Sequence, residues 1–352
     1  MKKKSVLIYG EFSGYGKSLA QGFRELGYDS EVFSFNGDGF KKINSGLNLK
    51  GSNKLLKLIS IIKLLPELLK YKNILIMNPA FFNMKFLGPF ILTLFKITRK
   101  NIILLCCGDD VEFIRQGKNG NIQNWPYYDI NLPSKNHYSK PSDLFVNYLV
   151  ATFSNKLIPA MYDYHKAWSL SKYSRKLTET IPLACDGKVK TIKKKNFNDE
   201  KIIIMHGINR EDFKGTKKIK KALLEIEKKY KSEVEIIMPE KLPLSEYLSL
   251  MDNVDISIDQ TKCNSYGMNA VYSMLAGHIV LAPANQNFRN DLNIEKCPII
   301  SIDNDENHIF NAIEKIILNK NSIQKIKEDT QKYAIEIHSP RIVASKIDHY
   351  LL

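Results

Sequence analysis

The chain has 352 residues, 44% hydrophobic and 25% charged, with 18 Gly and 13 Pro, a composition that excludes wholesale disorder, collagen and low-complexity architectures. Five cysteines, two of them adjacent at Cys106 and Cys107, make neither a paired framework nor a CxxC metal spacing, so a reducing compartment is expected. The net charge of +15 lies wholly in residues 1–200, with 31 Lys and Arg against 16 Asp and Glu, whereas 201–352 holds 21 of each.

At roughly 150 residues per domain the length suggests two domains. The start, Met1 to Lys4, carries three lysines and leads straight into an apolar run at 6–9, too short for a signal-peptide core. No apolar run reaches the roughly 18 residues of a spanning helix, so a cytoplasmic protein without an integral span is expected. Strand-like runs follow at 31–35, 73–77, 102–107 and 156–158, separated by helical periods at 17–26, 53–71, 84–98 and 142–153. Strands apolar on both faces and spaced by helices predict a parallel sheet covered on both sides, a Rossmann-like unit. Residues 187–200 turn polar and read as a linker. A second alternation then runs through strands at 202–205, 233–238, 255–259, 279–282 and 299–302, with helices at 217–230, 244–251, 268–276 and 306–318. The end is two helical segments broken at Ser339-Pro340.

Residues 51–100 carry nine basic residues and one acid, Glu67, threaded through Leu and Ile. That pattern fits either a solvated lysine face over a core helix or a basic amphipathic surface on an anionic membrane, at the inner face of the plasma membrane. With no helix-turn-helix, RNP-like or zinc pattern, nucleic acid is not expected as a partner.

The loop Gly10-Glu-Phe-Ser-Gly-Tyr-Gly-Lys-Ser has five residues where Walker A has four between its glycines, and it lacks the third glycine of the dinucleotide fingerprint. What remains is a strand-to-helix turn at Gly14, Tyr15 and Gly16 that lets a ligand approach the backbone. In the second half, His206-Gly207 is followed by Arg210, Lys214 and a basic helix, a cationic turn suited to a diphosphate. Asp109 and Asp110 follow the fourth strand-like run, at its carboxyl end, where one could serve as a general base or hold an acceptor hydroxyl, or simply cap the next helix. Asp303-Asn304-Asp305 matches an Asp-x-Asp metal motif but reads as a strand-to-helix loop, and no metal site is expected. The aromatic segments at 125–129, 137–138 and 162–168 suit either sugar stacking or packing.

These features together resemble the retaining, nucleotide-sugar-dependent glycosyltransferases of the GT-B fold, of the group 1 or family 4 type. Tyr266-Gly267 and Ser273-Met-Leu-Ala-Gly-His-Ile-Val280 match part of that family's Glu-x7-Glu motif. Aligned on Tyr266-Gly267, the two glutamates fall on Asn264 and Tyr272, so both carboxylates are replaced, and Cys107 stands where a strand-end His is frequent. The resemblance implies an α/β chain of two Rossmann-like α/β/α domains with a cleft between them. An acceptor-binding domain would span 1–186, a nucleotide-sugar domain 201–338, and a C-terminal helix at 339–352 would return to the first. It implies a donor site at Gly14, Tyr15, Gly16, His206, Arg210, Lys214, Asn264, Tyr266, Gly267, Met268, Asn269 and Tyr272, with Asp109 or Asp110 as the remaining carboxylate at the reaction centre. The expected co-substrate is a UDP-, GDP- or other NDP-sugar with no further cofactor, the expected acceptor a glycan or lipid-linked sugar, and the expected setting bacterial surface polysaccharide or glycolipid synthesis. A non-catalytic subunit that binds a nucleotide, a glycan or a partner transferase is the alternative.

Overall fold

The computed structural model describes residues 4–35, 46–51, 53–132 and 137–352, without the side chains of residues 54, 55 and 244; the first three residues of the lysine-rich start lie outside the described residues. The chain divides into two compact units. One comprises residues up to Ile122, Leu132–Asp186 and Ser339–Leu352; the other comprises Gln123–Asn131 and Gly187–His338.

The first unit is built on β1 (Ser5–Tyr9), α1 (Tyr15–Glu25), β2 (Asp29–Ser34), β3 (Leu47–Asn48), α2 (Lys54–Leu68), β4 (Asn73–Ile76), α3 (Leu87–Ile97), β5 (Asn101–Leu104), α4 (Val111–Lys118), α5 (Pro141–Phe153), β6 (Lys156–Leu157) and α6 (Tyr162–Ser169). Its six strands run parallel in the order β3-β2-β1-β4-β5-β6. All four residues of β4 and of β5 are buried, as strands covered by helices on both faces require. The strand order reverses between β1 and β4, and at such a switch point the loops at the strand carboxyl ends diverge and leave a crevice for ligands.

The second unit contains β7 (Ile202–His206), α7 (Glu211–Lys214), α8 (Thr216–Lys229), β8 (Val234–Ile237), α9 (Leu244–Leu250), β9 (Ile256–Ile258), α10 (Met268–Leu275), β10 (Ile279–Ala282), α11 (Gln286–Asp291), β11 (Ile300–Ser301), α12 (Glu306–Leu318) and α13 (Ile323–His338). Its five strands are parallel in the order β11-β10-β9-β7-β8, with the switch point between β7 and β9. An isoleucine-rich core of Ile202, Ile204, Ile256, Ile258 and Ile279 packs beneath α8 and α12.

The last helix, α14 (Pro340–Asp348), packs on α1 of the first unit. Gly22 makes this approach possible, because a Cβ there would lie 2.1 Å from the Pro340 carbonyl oxygen. Beyond the helix, Asn101 Nδ2 donates to the Tyr350 carbonyl at 3.0 Å and Leu352 N–H donates to Asn73 Oδ1 at 3.0 Å.

Two placements differ from the sequence reading. Gln123–Asn131, read with the first domain, belongs to the second unit, where its backbone and side chains bond the loop after β9. Residues 187–200, read as a linker, pack on the second unit. Lys195 Nζ reaches Asp255 at 2.8 Å, and Lys190 N–H donates to the Leu275 carbonyl at 3.2 Å. The short elements β3, α6, α7 and α11 went unread, because a few residues carry too little periodicity to separate helix from loop.

Candidate functional site

In the first unit, β1 feeds a turn with three positive φ angles, Gly10 (+111°), Ser13 (+55°) and Gly14 (+86°). Gly10 is required twice over: its φ lies in the left-handed region, and a Cβ would sit 2.3 Å from the Phe81 ring. The amides expected to meet a ligand anion meet the chain's own Glu11 instead. Its carboxylate accepts from Gly14 N–H at 2.9 Å and Gly16 N–H at 3.3 Å through Oε1, and from Lys17 N–H at 2.8 Å through Oε2. Glu11 is 2% exposed, so an internal anion already serves the α1 N-terminus. Tyr15 is buried and its N–H donates to the Phe12 carbonyl at 2.9 Å. Lys17 and Ser18, which suggested a phosphate loop, are tied to Asp186: Lys17 Nζ at 2.8 Å, and Ser18 Oγ accepting from Asp186 N–H at 2.9 Å.

Asp109 and Asp110 follow β5 but differ in role. Asp109 is half-buried beside Gly108, which has φ +78°. Asp110 is buried and caps α4, accepting from Phe113 N–H at 2.8 Å through Oδ1 and from Trp168 Nε1–H at 2.9 Å through Oδ2. Burial pushes its carboxyl up to about 7, against the two donors that pull it down. A carboxyl poised near neutrality can exchange a proton at working pH. The aromatic segment at 162–168 is α6, and its Trp168 is a fully buried strut under Asp110.

In the second unit the switch point between β7 and β9 gathers most of the expected donor residues. Lys214, 6% exposed, extends to Asp259 Oδ1 at 3.1 Å and to the Gly207 carbonyl at 3.2 Å. Asp259 also accepts from Asn269 Nδ2 at 3.1 Å and, through Oδ2, from Gly267 N–H at 3.3 Å, at the N-terminus of α10. Burial alone pushes Asp259 up; the Lys214 ammonium and the neighbouring hydrogen bonds outweigh that and hold the carboxyl below its usual range. Arg210 lies over the Phe213 ring, 3.7 Å from its centre, and donates to the Tyr127 hydroxyl. Gly215, at φ +73°, lets the β9 loop close on the turn between α7 and α8, since a Cβ would fall 2.1 Å from Thr261 Oγ1.

His206 does not face a ligand. Its Nδ1–H donates to the Ile258 carbonyl at 2.9 Å and its Nε2 pairs with Thr216 Oγ1 at 2.9 Å. Burial and the nearby Lys214 charge bring the ring down to about 4, so it is neutral. Tyr266 is likewise internal, its hydroxyl bonded to Tyr333 at 3.0 Å and His338 Nε2 at 2.9 Å. Asn264, in place of the first motif glutamate, is fully buried; its Nδ2 donates to the Gln123 carbonyl at 2.7 Å and its Oδ1 accepts from Asn285 at 2.7 Å. Tyr272 and Met268 are buried on α10, and Asn269 is half-buried.

Sequence reasoning missed Lys262, Tyr127 and Asp129. Lys262 is 3% exposed, paired with Asp129 and 5.3 Å from the centre of the Tyr128 ring. The Trp125-Pro-Tyr-Tyr-Asp run, read as suited to either sugar stacking or packing, is thus a strap over the loop after β9 in its own unit. Its distance in sequence hid this partnership, and only its aromatic density marked it. Asp303-Asn304-Asp305 is a capped turn: Asp305 accepts from His308 N–H at 2.8 Å, and Asp303 faces His308 Nδ1 at 2.8 Å. Among the described residues no group of three or more His, Cys, Asp or Glu is arranged to hold a metal ion.

No family model matches this sequence, and no curated protein matches it. Solved structures do. HepE from Anabaena in complex with UDP and glucose is similar with a TM-score of 0.62 over 97% of this chain and 98% of that one, at 13% identity. The chain has the GT-B fold. Sucrose-phosphate synthase from Thermosynechococcus elongatus aligns with a TM-score of 0.59 over 99% and 98% of the two chains at 12% identity, and S. aureus MnaA with UDP aligns with 0.51 over 98% and 95% at 13%. These GT-B neighbours include both glycosyl-transfer and epimerase enzymes, so the fold by itself does not choose a reaction.

Proposed function

We propose that this protein is a glycosyltransferase that moves a sugar from a nucleotide diphosphate donor, held by residues 201–338, to a glycan or lipid-linked acceptor held by residues 1–186. The observation that carries this reading is the meeting of Lys214 and the N-terminus of α10 on Asp259 at the β7/β9 switch point, with Arg210 at the start of α7, four residues before Lys214. Cations and helix N–H groups at a strand carboxyl end favour a diphosphate and stabilise the charge it gains on leaving. The UDP and UDP-glucose complexes of HepE support a nucleotide-sugar donor for this fold. The reading includes retention and no required metal, as the family resemblance implies, and a setting in surface polysaccharide or glycolipid assembly. Asp110, or the more accessible Asp109, is the carboxylate proposed for the reaction centre.

Calorimetric titration with UDP, GDP and their sugars tests the donor site. Arg210→Ala should weaken binding by about 1.5–3 kcal/mol, the range for a charged hydrogen bond. Lys214 is replaced together with Asp259→Asn, so that no buried carboxylate is left unpaired. Unchanged affinity in both variants refutes the assignment. Asn264 has both ends of its amide engaged by protein groups, which favours a second reading: a non-catalytic GT-B subunit. Nucleotide binding without turnover of any donor, by transfer or by epimerisation, would select it.

A further inference from the structure

The first unit contains a polar pocket outside the donor assignment, with the proposed carboxylate Asp110 on its wall. It lies where Asn78, after β4, and Asp110, after β5, meet one face of α5, and it is also lined by Asn83, Tyr138, Asp143 and Asn147. Asp143 and Asn147 stand four residues apart on α5, so their side chains share a face. Its enclosed space is about 20 Å³, room for roughly one water-sized group, so only a hydroxyl at the edge of a larger molecule enters it.

Most of the polar groups around it are engaged. Asn78 Nδ2 donates to the Cys107 carbonyl at 2.8 Å and the Asp109 carbonyl at 3.1 Å, while its Oδ1 accepts from Ala80 N–H at 2.9 Å. Asn83 Nδ2 donates to Asp143 Oδ1 at 2.7 Å. Asn147 is the exception: it is 2% exposed, and neither Oδ1 nor Nδ2 has a hydrogen-bond partner. An amide buried in that state costs about 1–3 kcal/mol for each unmet group, and native folds meet nearly all such groups. The amide offers one acceptor oxygen and two N–H donors, so what it lacks is a donor facing Oδ1 and an acceptor facing Nδ2 at one point. A hydroxyl both donates and accepts, so a hydroxyl entering there would meet the amide, and the second lone pairs of the Asp110 carboxylate would take an O–H from the same edge.

We propose that this pocket is a carbohydrate subsite, in which Asn147 binds a hydroxyl on one edge of a sugar and Asp110 accepts from the same edge. Naming that sugar as the acceptor rests on the glycosyl-transfer reading; the sugar pocket itself does not. The full-length protein is titrated with glucose, galactose and N-acetylglucosamine up to 100 mM, following the Asn147 side-chain amide by NMR, with myo-inositol and sodium sulfate as comparison solutes. A saturable shift with at least one sugar and none with sulfate is expected, with at least a tenfold weaker Kd in Asn147→Leu. The Leu variant should keep or raise Tm, because it removes an unmet amide; if it fails to fold, Asn147→Ala takes its place. No shift at 100 mM, equal binding by the variants, or crystals from these sugars that place only water against Asn147 would overturn the subsite. Sugar binding without transfer from any nucleotide sugar would leave the subsite standing and remove the acceptor role. Transfer at wild-type kcat/KM by Asn147→Leu would remove that role while leaving the transferase reading intact.

Discussion

Replacing Glu11 with Ala removes the carboxylate that three backbone N–H groups share at the start of α1, with contacts of 2.9, 3.3 and 2.8 Å. Hydrogen bonds to a charged group contribute about 1.5–3 kcal/mol each. The two short contacts at the low end therefore sum to about 3 kcal/mol, and the long third adds little. The buried amides of a helix N-terminus also lose their partner in the helix dipole. For a folding unit of this size about 3 kcal/mol corresponds to a fall in Tm of about 6–12 °C. Differential scanning calorimetry of wild type and Glu11→Ala should show that fall. Sulfate should then restore part of it in the variant and do nothing specific to wild type, because only the variant leaves the anion position open. A loss below 1 kcal/mol, or equal sulfate response in both proteins, would refute the role of Glu11 as the internal anion and return the loop to the ligand.

His206 makes the second unit sensitive to acid. Its folded value of about 4 lies below the unfolded 6.5, so the unfolded chain takes up a proton first as pH falls. The stabilising contribution is complete above pH 6.5 and is lost between there and about 4, amounting to about 3 kcal/mol. Urea titrations of wild type and His206→Gln should differ by a slope of one proton in that window; parallel profiles would contradict the buried neutral ring. Peripheral membrane attachment is proposed for the first unit, where Leu56, Leu58, Ile59 and Ile62 of α2 and Phe86, Phe90 and Ile97 in and beside α3 are exposed among lysines. Flotation with anionic vesicles should capture the protein at low salt and release it at high salt. Equal capture by neutral vesicles, or none by either, would exclude an electrostatic anchor.

Much of the architecture was legible in the text. Runs such as residues 74–76 and Ile279–Ala282 are apolar on both faces, as a doubly covered parallel sheet requires. Glycine and proline marked the turns, as at Gly277, where φ is +80° and a Cβ would strike Ile192 at 2.5 Å. Arg210 and Lys214 read as a cationic turn after a strand, and it was the family resemblance that set Gly267 with them. What the text could not supply was the partner of each polar group, because burial and pairing join residues far apart in the chain. His206 reads the same whether it meets a phosphate or bridges Ile258 and Thr216. The amides of Gly14 and Gly16 read as a ligand's cradle until Glu11 is placed against them. Lys262 and Asp129 are separated by 133 residues, and local periodicity carries no trace of such a pair. Local pattern determines elements because they satisfy their own backbone; side-chain function depends on which distant groups share the low-dielectric interior, and that only the tertiary structure decided.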